Sequence, residues 1–208
     1  MPAWRFAAPS VRRTLGTALV AVGAVLLLYV GYRYASGAYE RDVARTAWAA
    51  LEARNAVATA SSSLAASPTP ATYATGALVG RLLIPAVQLD EVIVEGVGDD
   101  ELDAGPGHLP GSVSPGEPGN AVISAHRDRH FHSLGRVAIG DTVITVTRTL
   151  RTTWVITKRQ IVGRYRPSLF QSTEPELTLT TCWPIRYVGP APDRLILTAK
   201  PVLAPPRA

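Results

Sequence analysis

Along the chain the apolar positions change texture three times, and each change predicts a different element. Residues 14–32 run for nineteen positions without a charge and are rich in Leu, Val and Ala. As a helix rising about 1.5 Å per residue this run reaches roughly 28 Å, close to the hydrocarbon thickness of a bilayer. Arg5, Arg12 and Arg13 precede it, and Tyr29, Tyr32 and Tyr34 gather at its far end, where an aromatic belt belongs. The pattern predicts a single membrane-spanning helix, with the N-terminus cytoplasmic and the remainder across the membrane. A cleaved signal peptide competes, because Ser36-Gly37-Ala38 offers small residues near a cut, and a buried soluble helix is the bland alternative. The run is long for a signal peptide and uninterrupted, so a retained anchor is expected.

Residues 40–58 are rich in Ala, Glu and Arg, with Val43, Ala47 and Leu51 spaced four apart, and predict a second helix. Residues 61–76 hold Ser, Ala, Thr and Pro without a charge, a composition too poor in bulky groups to fold, and read as a linker. Short apolar runs then follow at 81–84, 91–94, 121–124, 142–147, 153–162, 177–181 and 194–199, punctuated by Pro, Gly, Asp and Asn. Seven or eight brief strands of this kind point to a small β-barrel or sandwich. The expected organisation is an N-terminal segment 1–13, a transmembrane helix 14–32, a stalk and linker 33–77, a folded domain 78–201 and a tail 202–208.

Charge and composition narrow the function. The net charge of +5 sits mostly in residues 1–60, where seven Arg face three carboxylates; the rest carries 14 basic and 13 acidic groups. A near-neutral folded domain lacks the clustered basic stripe a nucleic-acid surface needs. The single Cys excludes an internal disulfide framework and any multi-cysteine metal site.

That Cys182 ends the strand-like Leu177-Thr178-Leu179-Thr180-Thr181, just before Trp183-Pro184. Proline cannot continue a central ladder, so the thiol falls at a strand terminus. All four histidines, His108, His126, His130 and His132, lie in one quarter of the chain. His126 ends the apolar segment 120–125, so a strand-end imidazole and a strand-end thiol can meet at one barrel rim, as base and nucleophile. Arg194 opens the last strand; beside a thiol its guanidinium suits stabilisation of an oxyanion, and alone it reads as a surface charge near Asp193. His126, His130 and His132 invite a zinc reading, with Asp128 as a further ligand, but a loop offers no fixed three-ligand set. His130 and His132 read better as solvated loop residues. The seven acids at 90, 91, 95, 99, 100, 101 and 103 read as a solvated loop and match no calcium motif, so no cofactor is expected.

Several of these contexts resemble the sortases, membrane-anchored cysteine transpeptidases of bacteria, and most closely the class D branch. Thr178-Leu179-Thr180-Thr181-Cys182 with Trp183-Pro184 is similar to the family's nucleophile strand. Gly105-Pro106-Gly107-His108, Pro118-Gly119-Asn120 and Ala125-His126-Arg127-Asp128 resemble the approach to its histidine, and residues 188–194 its run into the arginine. The resemblance covers roughly 78–201. It implies an eight-stranded β-barrel, with His126 as acid/base, Cys182 as nucleophile and Arg194 as transition-state stabiliser. It implies cleavage of a Leu-Pro-any-Thr-Gly-like (LPXTG-like) sorting signal on secreted proteins, through a thioacyl enzyme. Transfer to an amine acceptor of the cell envelope, such as a cell-wall precursor, follows. Ser124-Ala125 before the histidine and Arg129-His130 after it depart from the family pattern and bear on substrate preference. Two alternatives stay open: another His/Cys cell-wall enzyme of the L,D-transpeptidase kind, whose Ser-x-Gly-Cys context is absent here, and a catalytically idle membrane-tethered module that binds peptide.

Overall fold

The structure, a computed structural model, describes residues 9–61, 73–164 and 172–202. Most of the expected linker, the first residues of the N-terminal segment and all of the tail but Val202 lie outside them.

The two helices expected at 14–32 and 40–58 are one, α1 (Pro9–Ser61). Between them stand only Arg, Tyr, Ala, Ser and a single Gly37, and one interior glycine costs a helix only about 1 kcal/mol. The chain divides into Met1–Tyr39 and Glu40–Ala208. In the first unit Leu19, Val20, Leu27 and Leu28 all lie exposed on the helix. By length and composition α1 can cross a membrane, and a continuous exposed apolar surface of this kind suits lipid rather than water.

The second unit is a closed eight-stranded barrel. Its strands are β1 (Leu78–Ile84), β2 (Leu89–Glu95), β3 (Gly107–His108), β4 (Asn120–Ala125), β5 (Thr142–Thr147), β6 (Arg151–Gly163), β7 (Glu176–Trp183) and β8 (Asp193–Pro201). They close in the order β1-β2-β3-β4-β7-β8-β6-β5, with β5 returning to β1. All seven expected strands are present, longer at one or both ends except β5. The two-residue β3 and the short helix α2 (Asp99–Ala104) carry too few residues to show a period.

Alternation along each strand puts one parity inside. Leu177 and Leu179 of β7, Ala121, Ile123 and Ala125 of β4, and Leu195, Leu197 and Ala199 of β8 share one core with Trp154, Phe131 and Leu82. Trp154 satisfies its buried indole by donating to Thr145 Oγ1 at 2.8 Å.

Residues 40–54 of α1 pack on the barrel instead of standing clear of it as a stalk. Ala44 and Trp48 are buried in a second cluster with Val92, flanked by Leu51, Leu78 and Val146. Arg41 Nε donates to Glu91 Oε2 at 2.9 Å, and Arg45 Nη2 to the Asp90 carbonyl at 2.7 Å. The acidic stretch expected as a solvated loop is therefore corrected: Glu91 and Glu95 lie on β2, Asp103 on α2, and all three are buried. Each has a partner, as buried charge requires: Arg41 for Glu91, His108 for Glu95 and Arg129 for Asp103.

Candidate active site

β4 and β7 run parallel, pairing Ser124 with Thr180 and Ala125 with Thr181. His126 is the residue that follows Ala125 at the end of β4, and Cys182 the one that follows Thr181 on β7. β7 and β8 run antiparallel and pair Cys182 directly with Arg194. Cys182 and Arg194 have the parity opposite to the core positions of their strands, so thiol and guanidinium share the outer face at one end of the barrel, and His126 follows the end of β4 there. Directly opposed strand residues hold their Cβ atoms about 4.5–5.5 Å apart. Register alone thus brings Cys182 and Arg194 together, with His126 next after the β4 residue that pairs with Thr181.

Each is held and reachable. His126 keeps 32% of its side-chain surface, and Cys182 is half-buried and reduced. Arg194 Nη1 donates to the Asp193 carbonyl at 2.9 Å and stands 3.5 Å from that of Ala191. Thr181 Oγ1, buried, donates to the Ala125 carbonyl at 2.7 Å, tying the two strand ends together next to Cys182 and His126.

Arg127, next to His126, reaches the connection after β7. Its guanidinium donates to the carbonyls of Pro184 (3.1 Å), Tyr187 (3.0 Å) and Gly189 (2.9 Å), and lies over the Tyr187 ring. The Trp183–Pro184 peptide is cis. Gly135 admits this segment closely, because a Cβ there would meet Ile185 at 3.0 Å and Trp183 at 3.2 Å. Along the seam between β4 and β7, Thr178 Oγ1 donates to Asn120 Oδ1 at 3.0 Å. A hollow of about 460 Å³ opens at its far end, lined by Leu109, Ser112, Val113, Asn120 and Ser172.

The remaining histidines separate. His132 is exposed, as expected. His130, expected in solvent, is buried: Nε2 donates to the Asp103 carbonyl at 3.3 Å and Nδ1 lies 3.4 Å from Glu91 Oε2. Phe131 takes the neighbouring core position and carries His130 inward with the turn. His108 is buried against Glu95 Oε2 at 2.6 Å and the Val113 carbonyl at 2.9 Å, which fixes the start of the β3–β4 connection. Among the described residues no three His, Cys, Asp or Glu gather to hold a metal ion.

Sequence reading missed Asp103 and Arg127. Asp103 Oδ1 lies 3.8 Å from His126 Nε2 and 2.8 Å from Arg129 Nη1. No local pattern links an acid on a six-residue helix to a histidine 23 positions later. Arg127 carried a signal, its place beside His126, but its acceptors are backbone atoms about sixty residues away.

Comparison with known proteins agrees with this fold. The Sortase domain family model matches residues 82–202. Sortase D of Bacillus subtilis is 39% identical over 130 residues, which is 62% of this chain and 66% of that protein; the chain thus spans just under two thirds of that relative's length. Among solved structures, a Clostridium perfringens sortase D5 transpeptidase aligns with a TM-score of 0.57 and 26% identity, covering 63% of this chain and 82% of its own. Streptococcus agalactiae sortase C1 aligns with a TM-score of 0.57 and 25% identity, covering 62% and 70%. With over half its length matched and the same barrel carrying the match, this chain belongs to the sortase family.

Proposed function

We propose that the protein is a membrane-anchored cysteine transpeptidase that cleaves an LPXTG-like sorting signal and transfers the upstream protein to an amine of the cell envelope. The observation that carries this reading is the strand register that faces Cys182 with Arg194, with His126 directly following the neighbouring strand end. In the first half-reaction the Cys182 thiolate attacks the threonine carbonyl carbon. The new C–S bond forms as the carbonyl π-pair moves onto oxygen. Arg194 stabilises that oxyanion: its guanidinium has five N–H donors, and tethering Nη1 to backbone carbonyls leaves others for the developing charge. Protonated His126 gives its proton to the departing glycine nitrogen as the C–N bond breaks, leaving a thioacyl enzyme. In the second half-reaction His126 takes a proton from the incoming amine. The amine attacks the thioester, and the tetrahedral adduct collapses with loss of the thiolate.

The outer-face seam between β4 and β7, with its hollow at the end away from Cys182, suits an extended peptide with its scissile bond at the rim. The apolar part of α1 and the arginines before it support an anchored orientation with the N-terminus cytoplasmic and the barrel outside.

The test uses the full chain in detergent micelles, because residues 40–54 are part of the folded unit. Incubation with a sorting-signal peptide library and an amine is expected to give a ligated product and a thioester at Cys182 visible by mass spectrometry. Cys182→Ala abolishes both, and His126→Ala and Arg194→Ala lower turnover by about a hundredfold or more. No ligation across the library with Cys182 fully reduced, or full activity in Arg194→Ala, defeats the proposal.

A further inference from the structure

Outside the three rim residues, the described chain buries two sets of titratable groups that the reaction above does not use: the His108–Glu95 pair, and Glu91, Asp103 and His130, which lead to the rim. The second set begins at α1, where Arg41 makes two contacts to the Glu91 carboxylate, through Nη2 to Oε1 and through Nε to Oε2 at 2.9 Å. Arg45 approaches the same carboxylate at 3.6 Å. Glu91 Oε2 faces His130 Nδ1 at 3.4 Å, and His130 Nε2 donates to the carbonyl of Asp103 at 3.3 Å. The Asp103 carboxylate, at the end of α2, faces His126 Nε2 at 3.8 Å and takes Arg129 Nη1 at 2.8 Å on the same oxygen. Four contacts therefore run from the helix that carries the membrane anchor to the imidazole at the rim.

Burying two carboxylates costs several kcal/mol unless each is compensated. Burial pushes the Glu91 carboxyl up, yet His130 and Arg41 together outweigh it and hold the group below the usual glutamate range. Fold stability alone does not call for acids here, since apolar side chains fill such sites at least as well. The arrangement acquires a reason at its far end. A carboxylate within ion-pair reach of a partly exposed imidazole can fix the orientation of the ring that must hand its proton to the leaving amine. Asp103 can do this only if α2 is held still, and α2 is a six-residue helix too short to hold itself. His130 bonds its last carboxyl-bearing residue through the backbone, so the Asp103 side chain is shared between Arg129 and His126.

We propose that Asp103 is the positioning carboxylate of His126, and that its place is set from α1 through Arg41, Glu91 and His130, so that the docked helix is part of the active-site scaffold. This rests on the reading of His126 as the acid/base.

The test compares full-length wild type, Asp103→Asn, Asp103→Glu and Arg41→Gln in micelles, each checked for folding by thermal melting. Two readouts are taken: kcat and KM for a cleavable sorting-signal peptide, and the imidazole ¹⁵N spectrum of His126, which reports its tautomer and charge without turnover. Asp103→Asn is expected to lower kcat by about tenfold to a hundredfold with KM within about twofold. Asp103→Glu recovers part of the loss. Arg41→Gln lowers kcat severalfold, and both Asp103→Asn and Arg41→Gln move the His126 resonances. Unchanged resonances in Asp103→Asn, or a kcat within twofold of wild type, overturn the proposal. Should Asp103→Asn fail to fold, Arg41→Gln decides it, since that side chain touches neither residue. A wild type that turns over no peptide defeats the functional reading, while the ¹⁵N comparison still decides whether Asp103 governs the imidazole.

Discussion

Trp48 is the largest side chain joining α1 to the barrel, so its truncation measures how firmly the helix is docked. Replacing a buried Trp by Ala in a packed core costs about 3–5 kcal/mol. At Trp48 the net cost is smaller, because its buried Nε1 has no hydrogen-bond partner among the described residues. That unmet donor already costs about 1–3 kcal/mol, which Trp48→Ala removes along with the ring. The difference is about 2 kcal/mol, or roughly thirtyfold in the equilibrium between docked and released helix. Trp48→Phe retains most of the ring surface and deletes the unpaired donor, so it is expected to match or exceed wild type. Hydrogen exchange read by mass spectrometry on the full chain in micelles separates the two. Trp48→Ala is expected to speed exchange of amides 40–54 about thirtyfold while those of β7 and β8 change far less. Acceleration below threefold in Trp48→Ala, or equal damage from Trp48→Phe, refutes the reasoning.

Three further outcomes are expected. Arg127→Ala removes donors to three carbonyls of the β7–β8 connection; it should open that segment by about 1–2 kcal/mol, read as faster proteolysis within 184–191 and faster alkylation of Cys182. Glu91 has a lowered folded-state pKa, so its contribution to stability is full above the ordinary glutamate value of about 4.3 and is lost as pH falls through the folded value. The gap in thermal midpoint between wild type and Glu91→Gln should therefore be widest near neutrality and close in acid; a gap constant from pH 7 to pH 3 contradicts this. A chelator should leave peptide ligation unchanged, and recovery of a lost rate by added calcium would show a cation site.

How much was legible in the chain depends on the range of the physics involved. The apolar run 14–32, the strand periods and the turn residues are local properties, and the barrel's seven longer strands follow from them. Cys182, His126 and Arg194 stood out for chemical type and for their places at strand ends, in contexts already similar to a known family. Their meeting is another matter. His126 and Cys182 are 56 positions apart, and only the parallel pairing of β4 with β7 and the antiparallel pairing of β7 with β8 put them on one rim.

The acids show the opposite case. Seven carboxylates between 90 and 103 look solvated in one dimension, because charge prefers water and nothing nearby in the chain neutralises it. Glu91 is buried because Arg41, 50 positions earlier, and His130, 39 later, arrive to compensate it, and Asp103 because Arg129 does. Likewise residues 40–54 have a helical period that the sequence alone displays, but whether that helix spans a gap or docks depends on Trp48 finding Val92, Leu78 and Val146. Helical and strand preference, hydrophobic length and the charge bias around the apolar run 14–32 were determined by the sequence itself. Which charges are buried, which helix is docked and which acid lies near His126 were decided by tertiary structure, since the free energy of a buried charge or a packed ring belongs to pairs of residues that the chain order keeps far apart.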